Sequence, residues 1–152
     1  MNTFLSRLAM LVTMTALTAT TASLAIAAAA PKIVTPDTLA WAPGTGPEQG
    51  VQVAVLEGDP TKPGPYTVRL KIPSGGKFLP HSHRDVEHVT VLSGTLLVGL
   101  GDVFDASKMK ALPAGSYVVI PPGLHHFAMA QGDTVVQLHG TGPSSFDMVA
   151  AQ

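Results

Sequence analysis

The chain reads as an all-β, single-domain protein, a sandwich or a barrel. That expectation rests on three observations. From Val51 onward, short runs rich in Val, Ile and Thr recur, several of them alternating apolar with polar residues. Gly- and Pro-containing breaks part these runs at close, regular spacing. Only FDASKMK, at 104–110, has the composition of a helical turn. Many short strands in one chain of 152 residues leave room for one core, covered by the sheet itself.

The elements follow in order. Val51 to Glu57 sets Val51, Val53 and Val55 against Gln52 and Ala54. Tyr66 to Ile72 sets Val68, Leu70 and Ile72 against Thr67, Arg69 and Lys71. Period two puts one set on the buried face of each strand. GDPTKPGP between them is a loop by composition. Further strands are expected over Val86 to Leu92, Thr95 to Leu100, Ser116 to Ile120, His126 to Ala130 and Thr134 to His139. Ser93-Gly94 is expected to join two of them as a hairpin, and Gln131-Gly132-Asp133 two others.

The first thirty residues have a different character. Arg7 is their only charge, the middle is apolar or Thr-rich, and IAAAA precedes Pro31. That is the pattern of a secretory signal peptide over 1–29, cut after Ala29 or, equally, after Ala27. A retained membrane anchor is the rival, since Leu8 to Ala30 is long enough to span. With the leader removed, the protein is exported, periplasmic or secreted. Residues 30–50, rich in Pro, Gly and Thr, form an extended lead-in anchored by Trp41. The β domain is expected over 51–150.

Composition excludes several functions. Ten acidic residues face nine basic ones, eight once Arg7 is lost with the leader, so no basic stripe exists for nucleic acid. Cysteine is absent. Any metal must then be held by His, Asp or Glu, which rules out thiolate zinc and iron–sulfur sites.

All six histidines lie between His81 and His139. In GGKFLPHSHRDVEHVTVLSG, His81 and His83 are two residues apart and share a strand face. Glu87 has the same parity, with Arg84-Asp85 as a bend that could reset the count. A carboxylate opening an apolar strand face is costly unless paired with a cation. In GSYVVIPPGLHHFA, a Pro-Gly turn ends one apolar strand and His125-His126 begin the next. His81, His83, Glu87 and one of this pair could close on one divalent metal. The bland reading is a solvated polar loop with histidines at the rim.

Here the chain resembles the cupin superfamily. The first cupin motif runs Gly, five residues, His-x-His, three or four residues, Glu, six residues, Gly; Gly75, His81, His83, Glu87 and Gly94 occupy these positions. The second runs Gly, five residues, Pro-x-Gly, two residues, His, three residues, Asn; Gly115, Pro121, Gly123 and His126 fit. Ala130 stands at the last position, where the pattern has an Asn that is not a ligand. The resemblance implies a jelly-roll β-barrel with His81, His83, Glu87 and His126 as metal ligands. It turns His125 outward and, by the distance to Gly94, prefers Glu87 over His88. His139 ends a strand and is a polar residue there or, as the rival, a group behind the ligands.

Three imidazoles and a carboxylate suit one divalent Fe, Mn, Zn, Ni, Co or Cu ion. Four protein ligands leave two octahedral positions for a small oxygen-bearing molecule. The resemblance therefore implies a metal-dependent oxidoreductase of dioxygenase type, or a decarboxylase or isomerase. A metal-binding or sensing module without turnover is the alternative, favoured by the lack of a second titratable group expected in the interior. Arg69 is expected to face solvent, with an anchor for an anionic substrate as the rival, and Tyr66 and Tyr117 to serve core or rim, with a phenol donor as theirs. Thr95 to Leu100 and Ser116 to Ile120 are apolar on both faces, so a second copy of the chain or the lead-in is expected to cover them.

Overall fold

The alternation of Val68, Leu70 and Ile72 with Thr67, Arg69 and Lys71 becomes a nine-residue strand in the computed structural model, which describes residues 30–48 and 50–150. The expected leader, 1–29, lies outside the described residues. Among them are nine strands: β1 (Ala42–Pro43), β2 (Gln52–Glu57), β3 (Gly64–Ile72), β4 (Lys77–Ser82), β5 (Glu87–Leu100), β6 (Lys110–Pro113), β7 (Tyr117–Ile120), β8 (His126–Gly142) and β9 (Asp147–Met148). The FDASKMK segment supplies a single 3-10 turn, Ala106–Lys108, in which the Ser107 amide donates to the Asp105 side chain. No helix among the described residues is long and apolar enough to cross a membrane.

Two long strands organise the barrel. β5 and β8 pair along their whole lengths, from His88↔His139 to Leu100↔His126. The first part of β8 also pairs with β4, and its second part with β3, which carries β2 and β1 outward. On its other edge β5 pairs with β7 near its start and β6 near its end. Every pairing is antiparallel. The inward residues of both halves meet in one core: Leu70 and Ile72 of β3, Val89 and Leu96 from either end of β5, Ala128 and Val136 from either end of β8. The sheet is thus folded upon itself around that core.

The two expected hairpins are absent. Ser93-Gly94 does not reverse the chain, and neither does Gln131-Gly132-Asp133; each lies inside a continuous strand. What the glycines do is bend it. Gly94 has φ +75° and Gly132 φ +78°, and the β5–β8 register shifts on either side of Ser93. These are bulges that turn both strands together from one wall of the barrel to the other. Buried Thr134 pins the corner, donating to the Thr95 carbonyl at 3.1 Å and accepting from the Thr95 amide at 3.2 Å.

Two further differences are local. β2 does not keep the alternation of its sequence: Val51 is buried and Val53 packs on the core, but Ala54, expected on the outer face, is buried and Val55 is exposed, just before the register shifts between Val55 and Glu57. β4 shows no alternation to read in the sequence, since it too bulges. Phe78 pairs with Ala128 and His81 with His126, three residues against two. Pro80, which has no amide proton to give the ladder, sits inside that bulge. The extra residue brings Phe78 and His81 to the same cavity.

Candidate metal centre

His81 is the penultimate residue of β4 and His83 follows it by two residues, so both rings point to one side, as their spacing requires. The chain then bends at Arg84-Asp85 and β5 begins at Glu87. Glu87, Val89 and Val91 share the inward face, so the bend preserves the parity. His126 opens β8 directly across from His81. The turn before it is tied to the first cluster: the Gly123 amide donates to the His83 carbonyl at 2.8 Å. A backbone hydrogen bond therefore joins the two histidine-bearing segments.

The three rings are buried and converge. His81 lies 4.2 Å from His126 and 4.9 Å from His83, centroid to centroid, and His83 lies 5.2 Å from His126. One ligand atom from each falls within 4.8 Å of the others. Each ring has its Nδ1 against a backbone carbonyl: Leu79 at 2.6 Å for His81, Ser145 at 2.6 Å for His83, Leu124 at 3.0 Å for His126. A carbonyl only accepts, so Nδ1 carries the proton in all three. Nε2 is left with its lone pair, and the backbone holds each ring in the tautomer and orientation a ligand needs.

Glu87 stands beside this group. Its Oε2 is 3.4 Å from His83 Nε2 and 3.7 Å from His126 Nε2. His83 Nε2 is buried and lacks a hydrogen-bond partner. A lone pair facing a carboxylate at this distance is unfavourable until a cation or a proton comes between them. The donor set, three neutral imidazoles and one carboxylate, fits a divalent transition ion.

Without a metal, a proton answers the same need. Burial opposes charge on His83, but the Glu87 carboxylate and the Ser145 carbonyl outweigh it and raise its pKa. Burial also works against the Glu87 charge, yet the neighbouring histidines, His83 foremost, hold its pKa below the usual value. Burial pushes His81 down to about 4 and lowers His126 as well.

Metal-stripped protein is therefore expected to lose stability as pH falls from about 6.5 toward 4. The folded His81 value of about 4 lies below its ordinary 6.5, so across that window the unfolded chain binds the proton first. The contribution of His81, at most about 3 kcal/mol, is present above 6.5 and lost toward 4. His126 and Glu87 act in the same sense. His83, with its raised pKa, acts oppositely, its stabilisation being present at low pH and lost as pH rises through the folded value. Urea midpoints at intervals from pH 4 to 7 test the balance; a flat profile contradicts it.

The other histidines are elsewhere. His125 is turned outward, with Nδ1 2.6 Å from Asp102 Oδ1. His88 and His139 stack face to face, 4.6 Å apart and 3° from parallel, with His88 against the Tyr117 hydroxyl. This row lies outside the cavity, so His139 is a polar strand residue. Arg69 also lies outside and donates to Gln137 across the strand pair.

The centre sits in a cavity of about 250 Å³ whose floor is apolar, with Phe78, Val89, Leu96 and Ile120 among its lining. Three of its features escape the sequence. Phe146 stacks on His81 at 3.8 Å, 11° from parallel. Its neighbour Ser145 supplies the carbonyl that orients His83. Glu48, in a 3-10 turn of the lead-in (Gly46–Glu48), lines the cavity. Its carboxyl is pushed up by burial and by the Glu87 charge. The cavity lining thus has a second carboxyl besides Glu87, together with the buried phenol of Tyr66 on β3. Nothing local announces Glu48, because the lead-in has no strand pattern and reaches the cavity only by folding back.

A family model described as a ChrR cupin-like domain matches residues 29–145. Germin-like protein 5-1 of Oryza sativa subsp. japonica is 37% identical over 92 residues, which cover 55% of this chain and 42% of that protein. The chain thus matches less than half the length of this relative. Among solved structures, the polyketide cyclase RemF from Streptomyces resistomycificus superposes with a TM-score of 0.63 at 17% identity, covering 81% of this chain and 88% of its own. An oxalate oxidase superposes with a TM-score of 0.51 at 25% identity, covering 66% and 55%. With the barrel, both histidine segments and a family match over most of its length, this chain belongs to the cupins, in the ChrR cupin-like domain family.

Proposed function

We propose that the protein holds one divalent transition metal through His81, His83, Glu87 and His126 and uses it on a small oxygen-bearing molecule, as an oxidoreductase of dioxygenase type. The observation that carries this reading is the set of three buried imidazoles, each with Nδ1 on a backbone carbonyl and Nε2 free toward a common point. Bound there, the ion would supply Lewis acidity or electron transfer.

The chain's own residues do the rest. His81 and His126 stay neutral because burial disfavours their protonated forms. Glu87 neutralises part of the cation's charge. The apolar floor takes the body of a ligand and excludes water. The relatives named above, an oxalate oxidase and a polyketide cyclase, support a small-molecule ligand without choosing one. The alternative, binding or sensing without turnover, rests on the shortness of the domain. Export, periplasmic or secreted, belongs to the same proposal, as does a second copy of the chain over exposed Tyr117 and Val119.

Metal analysis of protein purified from its exported location, followed by oxygen uptake with simple diketones, phenols and oxalate-like acids, tests it. One equivalent of a transition metal and uptake with one substrate class are expected. Metal without uptake favours the sensing reading, and absence of bound metal defeats both.

A further inference from the structure

Three neighbouring strands carry one row of inward positions beside the candidate metal centre. β3 puts Tyr66 opposite Gly140 of β8. β5 meets β8 with His88 opposite His139, which brings Glu87 to the level of Gly140. Tyr66 and Glu87 both line the cavity, and the residue between them has no side chain.

The Tyr66 phenol occupies that gap. A Cβ on Gly140 would stand 3.0 Å from the Tyr66 hydroxyl oxygen and 3.2 Å from Cζ of its ring. The tip of Tyr66 therefore lies across Gly140, reaching from β3 toward Glu87 on β5. Any side chain at 140 must displace it. Tyr66 is buried, only 6% exposed.

The protein makes little use of this hydroxyl. It donates to Ser144 Oγ at 3.3 Å. Ordinary O–H···O bonds span about 2.5–3.0 Å, so this one is weak. Asp85 Oδ2 would lie 2.8 Å from the same Gly140 Cβ, yet it is buried and has no hydrogen-bond partner, the phenol included. Burial pushes the Tyr66 phenol above its ordinary pKa; the Ser144 bond opposes this, and the Asp85 and Glu87 charges add to it. The hydroxyl thus keeps its proton and remains a donor. Beside a metal, the strongest acceptor offered to such a donor is an ionised oxygen of the bound molecule.

We propose that Tyr66 touches the molecule held at the metal centre, donating a hydrogen bond to a metal-bound oxygen that carries negative charge, and that bare Gly140 gives the phenol its place. The ligand class is an oxygen acid that binds in its ionised form: a hydroxamate, an enol or a carboxylic acid. This deepens the proposed function and rests on its metal centre.

Cobalt-loaded protein, with cobalt content measured first, reports binding through its visible absorption. Acetohydroxamate, which binds through ionised oxygen, and imidazole, which binds through nitrogen and has no oxygen, are the probes. Tyr66→Phe keeps the ring over Gly140 and removes only the hydroxyl. It is expected to hold as much cobalt as wild type, to weaken acetohydroxamate about tenfold or more and to leave imidazole unchanged. Gly140→Ala is expected to weaken acetohydroxamate in the same way, by pushing the hydroxyl aside, and it decides by the same readout if Tyr66→Phe does not fold. Unchanged acetohydroxamate affinity in Tyr66→Phe overturns the proposal. So does loss of cobalt, or an equal loss of both probes, since either would make Tyr66 a support of the centre. Wild type that takes cobalt but not acetohydroxamate overturns it as well. Wild type that takes no cobalt defeats the proposed function and this inference together, whereas cobalt uptake with unchanged affinities defeats the Tyr66 donor alone.

Discussion

Protein carrying His126→Ala is expected to purify with almost no transition metal. His126 is buried, its Nδ1–H donates to the Leu124 carbonyl, and its Nε2 is 3.7 Å from Glu87 Oε2. Removing groups that merely orient a ligand costs about 10–100-fold in affinity, so losing a ligand itself should cost at least about 100-fold. A fall in metal could also follow from damage to β8. His125→Ala is the control: it is one residue away on the same strand approach, faces out, and is paired with Asp102. It should retain full metal content. Elemental analysis of wild type and both variants, with circular dichroism to check the fold, gives the comparison. If His126→Ala holds as much metal as wild type, the histidines are rim residues and the proposed centre is wrong.

Gly94→Ala is expected to destabilise the barrel by about 3 kcal/mol or more, through two additive causes. Gly94 has φ +75°, a left-handed conformation that costs another residue about 1–2 kcal/mol. An added Cβ would also lie 2.4 Å from the Asp133 carbonyl oxygen and 2.6 Å from Thr134 Oγ1. These atoms belong to the facing bend of β8, so relief requires parting the two strands; overpacking of this kind costs about 1–3 kcal/mol. The urea midpoint should fall sharply, and the variant should unfold at lower temperature. The consequence reaches the centre, since β5 carries Glu87 at its start and pairs with His126 at its end. A loss under about 1 kcal/mol would mean that the corner yields easily and that Gly94 is not what sets it.

Local pattern made much of this protein legible. The alternation over Tyr66 to Ile72 appears as a half-buried strand because side-chain direction in a strand depends on nothing beyond the backbone's own period. The same rule brought His81 and His83 to one side, and the opposite parity of His88 placed it outside. Near a bulge the rule fails. Ala54 is buried and Val55 exposed beside the register shift in β2, and β4 was invisible as a strand because Pro80 and one extra residue break its alternation. The two glycine corners were misread for a related reason. A glycine with positive φ serves a hairpin or a bulge equally well, and only the partner strand distinguishes them.

The sequence by itself determined that the chain is all-β, that four potential ligands sit at the spacings of two cupin motifs, and that no thiolate can take part. Each of these depends on residue type and on separations of a few positions along one strand or turn. Tertiary structure decided the rest. It brought Gly123 to the His83 carbonyl, Ser145 and Phe146 to the imidazoles, and Glu48 to the cavity. These contacts join residues far apart in the chain, and their geometry is set by how β5 and β8 bend together. That bend depends on the fit of both strands, which neither one's residues specify alone.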